Sequence, residues 1–305
     1  MRVFVTGAGG FVGKHLISEL LKYGHEIIAF DSTFKSSISG VTSQVTGDLL
    51  DVKLMDDLVS STKPDSCVHL AAMSFAPAAK DNAPKMFSVN VIGTLRLLEA
   101  FRKNAIKAKI LNVSTAHVYG GIKSSHPIKE DTPLAPLSLY AISKAASDGA
   151  TIEYARMHGM HAMTARPNNH IGPGQSPQFV IASFAQQLKK MSLSGDNGTI
   201  RAGNMESIRD FTDVRDVVTS YRLLLEKGKP GTAYNISSNR MLSIRTAFDE
   251  LCKIAKVSPD VITDKDLYRP TDSSPVLDVT RINADTGWTP NIPLSQTFED
   301  ILAGF

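Results

Sequence analysis

The sequence predicts an α/β fold: a doubly wound parallel sheet followed by a smaller C-terminal lobe. Three observations predict it. Short β-branched runs alternate with helical patterns up to Pro167, a glycine cluster sits at the first strand-to-helix junction, and beyond Pro167 the chain turns rich in Gly, Pro and Asn.

The elements follow in order. "RVFVT" (Arg2–Thr6) is a first strand that ends at glycines, and "FVGKHLISELLKYG" has helical periodicity, with Val12, Leu16, Leu20 and Leu21 on one side and a stop at Gly24. "HEIIAFD" is a second strand ending at Asp31, and "SQVTGDL" is a third. A helix over "VKLMDDLVSS" leads to a fourth strand, "DSCVHLAA". A long helix over Pro84–Asn104 and a fifth strand, "KAKILNVST", come next. A helix from about Ser138 to His158 and a sixth strand, "MHAMTARP", complete the alternation, which argues for a parallel sheet covered on both faces. "NNHIGPGQSP" reads as a loop. After it come helices near Phe179–Lys190, Val214–Glu226 and Ile244–Ala255, a strand "AYNIS" and an irregular tail. The Val214 helix and "AYNIS" are candidates to return to the main sheet.

With 305 residues the chain can bury a sizeable core. Its net charge of +3, without a basic run, argues against nucleic acid and anionic membranes as partners. No apolar stretch reaches the roughly 20 residues of a membrane helix. "MRVFVTGAGG" does not read as a signal peptide, and Cys67 and Cys252 read as buried free thiols, so the expected setting is the cytoplasm. No cluster suggests a metal site.

"TGAGGFVG" places Gly7, Gly10 and Gly13 between the first strand and the first helix, with Phe11 and Val12 opening that helix. A tight turn, close backbone approach and helix N-terminal amides suit a pyrophosphate. Asp31 ends the second strand where an acid can bond a ribose 2′-hydroxyl and repel a 2′-phosphate. The expected cofactor is therefore NAD(H), with Lys35 keeping NADP(H) possible. In "SLYAISKAA", Tyr140 and Lys144 share a helix face about 6 Å apart at Cβ. That spacing alone fits either a surface pair or a phenol tuned for proton transfer.

The glycine spacing, "GDLLD", "HLAA", "NVIGT", "VSTAHVYG" and "YAISK" come in one order along the chain. Together they resemble the extended short-chain dehydrogenase/reductase family, the NAD-dependent epimerase/dehydratase group acting on nucleotide sugars. "RPNNHIGPGQSP", "RDFTDVRDV", "YNISS", "RPTD" and "TGWTP" are most similar to the branch that dehydrates GDP-mannose and reduces GDP-4-keto-6-deoxymannose. The resemblance implies a Rossmann domain over 1–167 with contributions from about 209–238, and a mainly substrate-binding lobe over 168–305. It implies Thr115, Tyr140 and Lys144 as the catalytic set, with Lys144 lowering the phenol's pKa. Asp48 and Leu49 would lie near the adenine, and Ala71 and Ala72 along the cofactor groove. Asn169, Arg209 and Arg269 would contact the substrate diphosphate. Asn90 would brace a strand or a water, and His170 reads as a packing residue more than an acid or base. A homodimer built on the two long helices is also implied.

The family's dehydratases carry an acid just after the catalytic Thr, where this chain has Ala116 and His117. The expected reaction is therefore reduction of a 4-keto group on a nucleotide-linked 4-keto-6-deoxyhexose, with His117 shaping the sugar pocket or serving as an acid/base. A 4-epimerase or 4,6-dehydratase is the alternative, and a non-catalytic NAD-binding regulator stands further off.

Overall fold

The computed structural model describes residues 1–74, 82–120, 122, 124, 126–267 and 274–305. The chain divides into two compact units. The first holds Met1–Pro167, Val218–Ile236 and Leu277–Trp288; the second holds Asn168–Val217, Ser237–Val276 and Thr289–Phe305.

The first unit is built on seven strands: β1 (Arg2–Thr6), β2 (Glu26–Asp31), β3 (Ser43–Thr46), β4 (Ser66–His69), β5 (Lys109–Val113), β6 (Ala162–Pro167) and β10 (Ala233–Ile236). They lie in the order β10-β6-β5-β4-β1-β2-β3, and every pairing is parallel. The order reverses between β1 and β4, which opens a crevice at their carboxyl ends. Val3, Phe4 and Val5 are fully buried, as a strand covered on both faces requires. Phe4 stacks on Phe30 at 5.9 Å and meets Phe101 edge-on at 6.1 Å.

Helix α1 (Phe11–Lys22) buries Gly13, Leu16, Ile17 and Leu20. Its inner stripe thus runs through Ile17, while Val12 and Leu21 are only half-buried. Helix α2 (Val52–Thr62) is capped by Asp51, which accepts from the Leu54 amide at 3.0 Å. The segment expected as one uninterrupted helix over 84–104 is broken in register. It runs as α3 (Ala83–Phe87), a π-helical segment Ser88–Gly93, and α4 (Thr94–Asn104). Periodicity cannot reveal such a widening, because it shifts the register by one residue without a Gly–Pro stop. Helix α5 (Leu139–His158) starts at Ser138, whose hydroxyl accepts from the Ala141 amide at 3.1 Å, and ends at Gly159 in the left-handed region.

The second unit holds a three-stranded sheet and a two-stranded one. The first is β11 (Met241–Ser243), β9 (Ile208–Asp213) and β7 (Asn169–Ile171); the second is β12 (Asp260–Thr263) with β8 (Thr199–Ala202). Helices α6 (Val180–Ser194), α8 (Ile244–Ala255) and α10 (Leu294–Ala303) bury Phe184, Leu188, Phe248, Leu251 and Phe298 in one core. Helix α7 (Val214–Lys227) starts in this unit and continues in the first, and α9 (Thr280–Thr286) belongs to the first. Two expectations change here. The "NNHIGPGQSP" loop contains β7, and the irregular tail contains β12, α9 and α10. β7 owes its existence to parallel pairing with β9, from Asn169 opposite Phe211 to Ile171 opposite Asp213, which no local pattern encodes.

Candidate active site

The glycine loop fills the turn between β1 and α1. Gly7 has φ +69°, and a Cβ there would stand 2.8 Å from the Ala71 amide nitrogen. A Cβ on Gly13 would stand 2.4 Å from the Gly7 carbonyl oxygen. The loop, the start of α1 and the exit of β4 therefore close on one another only with glycine at these positions. Gly10 is the N-cap of α1 and brings no capping side chain, so Phe11, Val12 and Gly13 open the helix as a backbone cradle. Asp31 reaches over the loop from β2; its Oδ2 accepts from the Gly9 amide at 2.9 Å. Ala71 and Ala72 are half-buried beside Gly7 at the exit of β4. Asp48 is exposed and turns its Oδ1 onto the Leu50 amide at 2.9 Å. The Leu49 side chain is 6% exposed and packs into the core over Gly93.

Thr115 follows β5 and caps the short turn Ala116–Tyr119; its Oγ accepts from the His117 amide at 3.3 Å. That contact leaves the hydroxyl proton free to point elsewhere, and the Thr115 hydroxyl lies near enough to the Tyr140 phenol to favour its ionised form. Tyr140 and Lys144 lie in the first two turns of α5, Tyr140 half-buried and Lys144 3% exposed. Burial pushes the Tyr140 phenol up to about 12, and the Thr115 hydrogen bond opposes that rise. The family resemblance implies that Lys144 lowers this phenol. Here desolvation outweighs every other influence, and the opposing group is Thr115. A phenol held protonated in this way is suited to giving a proton. Burial also drives Lys144 down to about 8, with Asp148 acting the other way. His117 is half-buried beside Thr115, and Ala116 is fully buried.

Two buried side chains fix this geometry. His69 Nδ1 lies 2.7 Å from Thr6 Oγ1, and Nε2 lies 3.0 Å from Thr94 Oγ1. Thr94 donates to the Asn90 carbonyl, and Thr6 accepts from the Ala71 amide. Each hydroxyl proton is thereby assigned: Thr94 accepts from Nε2–H, and Thr6 donates to Nδ1. The imidazole is neutral, and burial with the Lys144 charge lowers it to about 3. Asn90, in the π-helical segment, accepts from the Met73 amide at 2.8 Å and donates to Ser143 Oγ at 3.0 Å. Ser143 in turn donates to the Tyr140 carbonyl at 2.7 Å. Asn90 thus ties the exit of β4 to the first turn of α5. "HLAA" and "NVIGT" marked both positions, but only the tertiary pairings show what His69 holds.

The remaining expected residues lie in the second unit. Asn169 is half-buried on β7 and donates from Nδ2 to Ser274 Oγ at 2.6 Å. Arg209 is half-buried on β9, next to Ile208, whose carbonyl accepts from the Ser274 amide at 3.2 Å. Ser274 therefore bridges the Asn169 side chain on β7 and the backbone of β9 beside Arg209. Arg269 lies outside the described residues. The His170 imidazole is half-buried, 3.2 Å from the Asn168 carbonyl, and burial lowers its pKa. The sequence reading missed the ion pair of Asp148 and Arg166 behind α5. Its signal was available, because Asp148 stands four residues after Lys144.

The family model described as GDP-mannose 4,6 dehydratase matches residues 4–301. The chain belongs to this family. It is 33% identical over 304 residues to GDP-6-deoxy-D-mannose reductase of Pseudomonas aeruginosa, covering 99% of this chain and 96% of that one. The structure of RMD from Pseudomonas aeruginosa complexed with NADPH superposes with a TM-score of 0.88 at 32% identity, over 99% of this chain and 98% of that one. UDP-glucose 4-epimerase from Thermotoga maritima, solved with UDP-glucose, superposes with a TM-score of 0.89 at 26% identity, over 100% and 98% of the two chains. The GDP-mannose 4,6-dehydratase family is thus represented here by a Rossmann-type sheet with the Thr–Tyr–Lys grouping on it. No described helix is long and apolar enough to cross a membrane, and no group of three or more metal-ligating side chains forms among the described residues.

Proposed function

We propose that this protein reduces the 4-keto group of a GDP-linked 4-keto-6-deoxyhexose, using NAD(P)H. The observation that carries this reading is the Thr115–Tyr140–Lys144 grouping, with a phenol kept protonated by burial beside the buried Thr hydroxyl and a fully buried alanine at the position after Thr115. The relatives named above support the substrate class.

The residues present fit a dinucleotide. The cradle around Gly7, Gly10, Phe11, Val12 and Gly13 admits backbone only, and no side chain caps the N-terminus of α1. Ala71 and Ala72 would border the same groove, with Asp48 and Leu49 at its adenine end. Asp31 would bond the ribose hydroxyls, so NADH is preferred over the NADPH bound by the Pseudomonas aeruginosa relative. When bound, the cofactor supplies hydride. Tyr140 donates the proton to the forming alkoxide, Thr115 bonds the same oxygen, and Lys144 stabilises the phenolate left behind and holds the nicotinamide ribose. Asn169, Arg209 and Arg269 hold the diphosphate, a task suited to guanidinium.

Dehydration asks for a base at C5 and an acid at C6. Ala116 can be neither, so His117 is assigned to the sugar pocket. The test pairs two incubations. GDP-4-keto-6-deoxymannose with NADH or NADPH should yield the reduced sugar, faster with NADH. GDP-mannose with NAD⁺ and no preformed ketone should yield nothing. A 4-keto product in the second incubation would make this a dehydratase; turnover without added reductant, on protein that purifies with NAD, would make it an epimerase.

The same reading includes a cytoplasmic homodimer formed through α4 and α5, which pack side by side. On these helices Leu98 and Ala155 are spent on the core. Ile92 and Ile142, 43% and 41% exposed, supply the outward face instead. A monomeric mass at micromolar concentration would count against the dimer.

A further inference from the structure

Lys144 is 3% exposed and works from a low-dielectric position where its charge is costly. The carboxylate acting on it is Asp148, one helical turn on and 1% exposed. Asp148 is held through both carboxylate oxygens. Arg166 on β6 donates from Nε to Oδ2 and from Nη2 to Oδ1, both at 2.9 Å. The same guanidinium donates from Nη1 to the Tyr119 hydroxyl at 2.7 Å and to the Glu130 carbonyl at 2.9 Å. Tyr119 ends the turn that Thr115 begins, and its hydroxyl donates to Asn235 Oδ1 on β10 at 2.9 Å. One buried guanidinium therefore links the helix of Tyr140 and Lys144 to the turn of Thr115.

A buried ion pair is poor evidence for stability, since apolar residues of the same volume often do as well. Its placement here suggests a different use. We propose that Arg166 and Asp148 are positioning residues for the proton chemistry. Asp148 supplies the counter-charge of Lys144, and Arg166, by taking both carboxylate oxygens and Tyr119, sets where that charge sits relative to Thr115. The proposal rests on the reductase reading for its purpose, but its electrostatics can be measured without substrate.

The groups facing Lys144 are few. Its own helix offers Tyr140 and Asp148, β4 offers the neutral His69, and β6 offers Arg166 through Asp148; Tyr140 in turn raises Tyr221 on α7, which stays a neutral phenol. Removing the Asp148 charge leaves two cations, Lys144 and Arg166, in one buried patch. Of the two, Lys144 is the one able to give up its proton. Removing Arg166 has the opposite sign: Lys144 keeps its carboxylate and loses a neighbouring cation.

The experiment is an NMR titration of the Lys144 side chain, assigned by Lys144→Arg, in the protein without ligand. The wild-type midpoint should lie near the value of about 8 that burial gives. Asp148→Asn should lower it by about one pH unit or more, the usual worth of a close opposite charge, and Arg166→Gln should raise it. The alkaline limb of the turnover profile should move with each midpoint, with KM for the sugar nearly unchanged. Loss of packing alone would not give shifts of opposite sign. If a single variant fails to fold, the double Asp148→Asn/Arg166→Gln should titrate below the wild type. Midpoints that ignore the substitutions, or a double variant at or above the wild type, would overturn the proposal. A wild type that titrates as described but reduces no ketone counts against the proposed function instead.

Discussion

The glycine loop of the first unit and the diphosphate-binding candidates of the second are held by different means. Around Gly7 and Gly13 the constraint is backbone against backbone: an added Cβ would stand 2.8 Å from the Ala71 nitrogen or 2.4 Å from the Gly7 oxygen. Around Asn169 it is side chain against a connecting segment, through Ser274, which also bonds the backbone beside Arg209; the two strands have three and six residues. A site fixed by backbone tolerates few sequences and announces itself in a short motif. A site fixed by side chains on a small sheet can be retuned residue by residue, as a family handling several sugars requires.

The largest effect should come from the first region. Tyr140→Phe keeps the ring and removes the proton donor, so turnover should fall by roughly 10²–10⁴-fold. Cofactor affinity should hardly change, since the loop is untouched. A loss shared equally between NADH binding and turnover would mean that Tyr140 is a binding group only.

Next comes the loop itself. Gly13→Ala sets a methyl against the Gly7 and Ala8 carbonyls, at 2.4 and 2.6 Å. These are backbone atoms and cannot rotate away, so overpacking of about 1–3 kcal/mol is expected, with NADH affinity reduced at least in proportion. Unchanged NADH titration by fluorescence would show that the loop yields more easily than its contacts imply.

The second region should respond differently. Arg209→Ala removes one charge-assisted contact, worth about 1.5–3 kcal/mol. It should raise KM for the sugar nucleotide roughly ten- to a hundredfold and leave kcat and NADH affinity near wild type. A fall in kcat without a rise in KM would move Arg209 out of the diphosphate site.

This contrast also explains what the sequence disclosed. The strand alternation, the glycine loop and the Tyr140–Lys144 spacing are contiguous patterns whose periods or distances are set by local geometry. The break at Pro167 could be read from composition. The π-helical segment at Ser88–Gly93 could not, because it leaves the surrounding helix-forming residues in place. β7 could not either, because its three residues are extended only by virtue of β9. Among the site residues, the resemblance implied that Lys144 tunes Tyr140, but the i,i+4 spacing left the environment of the phenol open. Neighbours four apart say nothing about how much water is lost, and water loss decides this phenol. Asp148 could have been read from its i,i+4 spacing to Lys144, but His69 and Arg166 come from separate segments, and only the folded sheet brings them to this helix.

The smallest effect, on stability, separates catalytic design from structural need in the first unit. Lys144 is held at about 8 instead of the ordinary 10.5, with burial as the main cause. A lysine depressed in the folded state costs stability. The cost is complete below pH 8, where folded and unfolded forms are both charged, and it fades as pH rises from 8 to 10.5, where the unfolded chain binds more protons. At about 1.4 kcal/mol per unit, the cost is at most roughly 3–4 kcal/mol near neutrality. Lys144→Met keeps the length of the stem and removes the charge, while Asp148 keeps its bidentate arginine. The variant should therefore lose turnover yet melt at a higher temperature than the wild type at pH 7, with the gap closing toward pH 10. Arg209→Ala, at a half-buried position, should show no such gap. A Lys144→Met protein that melts lower than the wild type at neutral pH would mean that the ammonium supports the fold, and that its burial serves the structure as well as the chemistry.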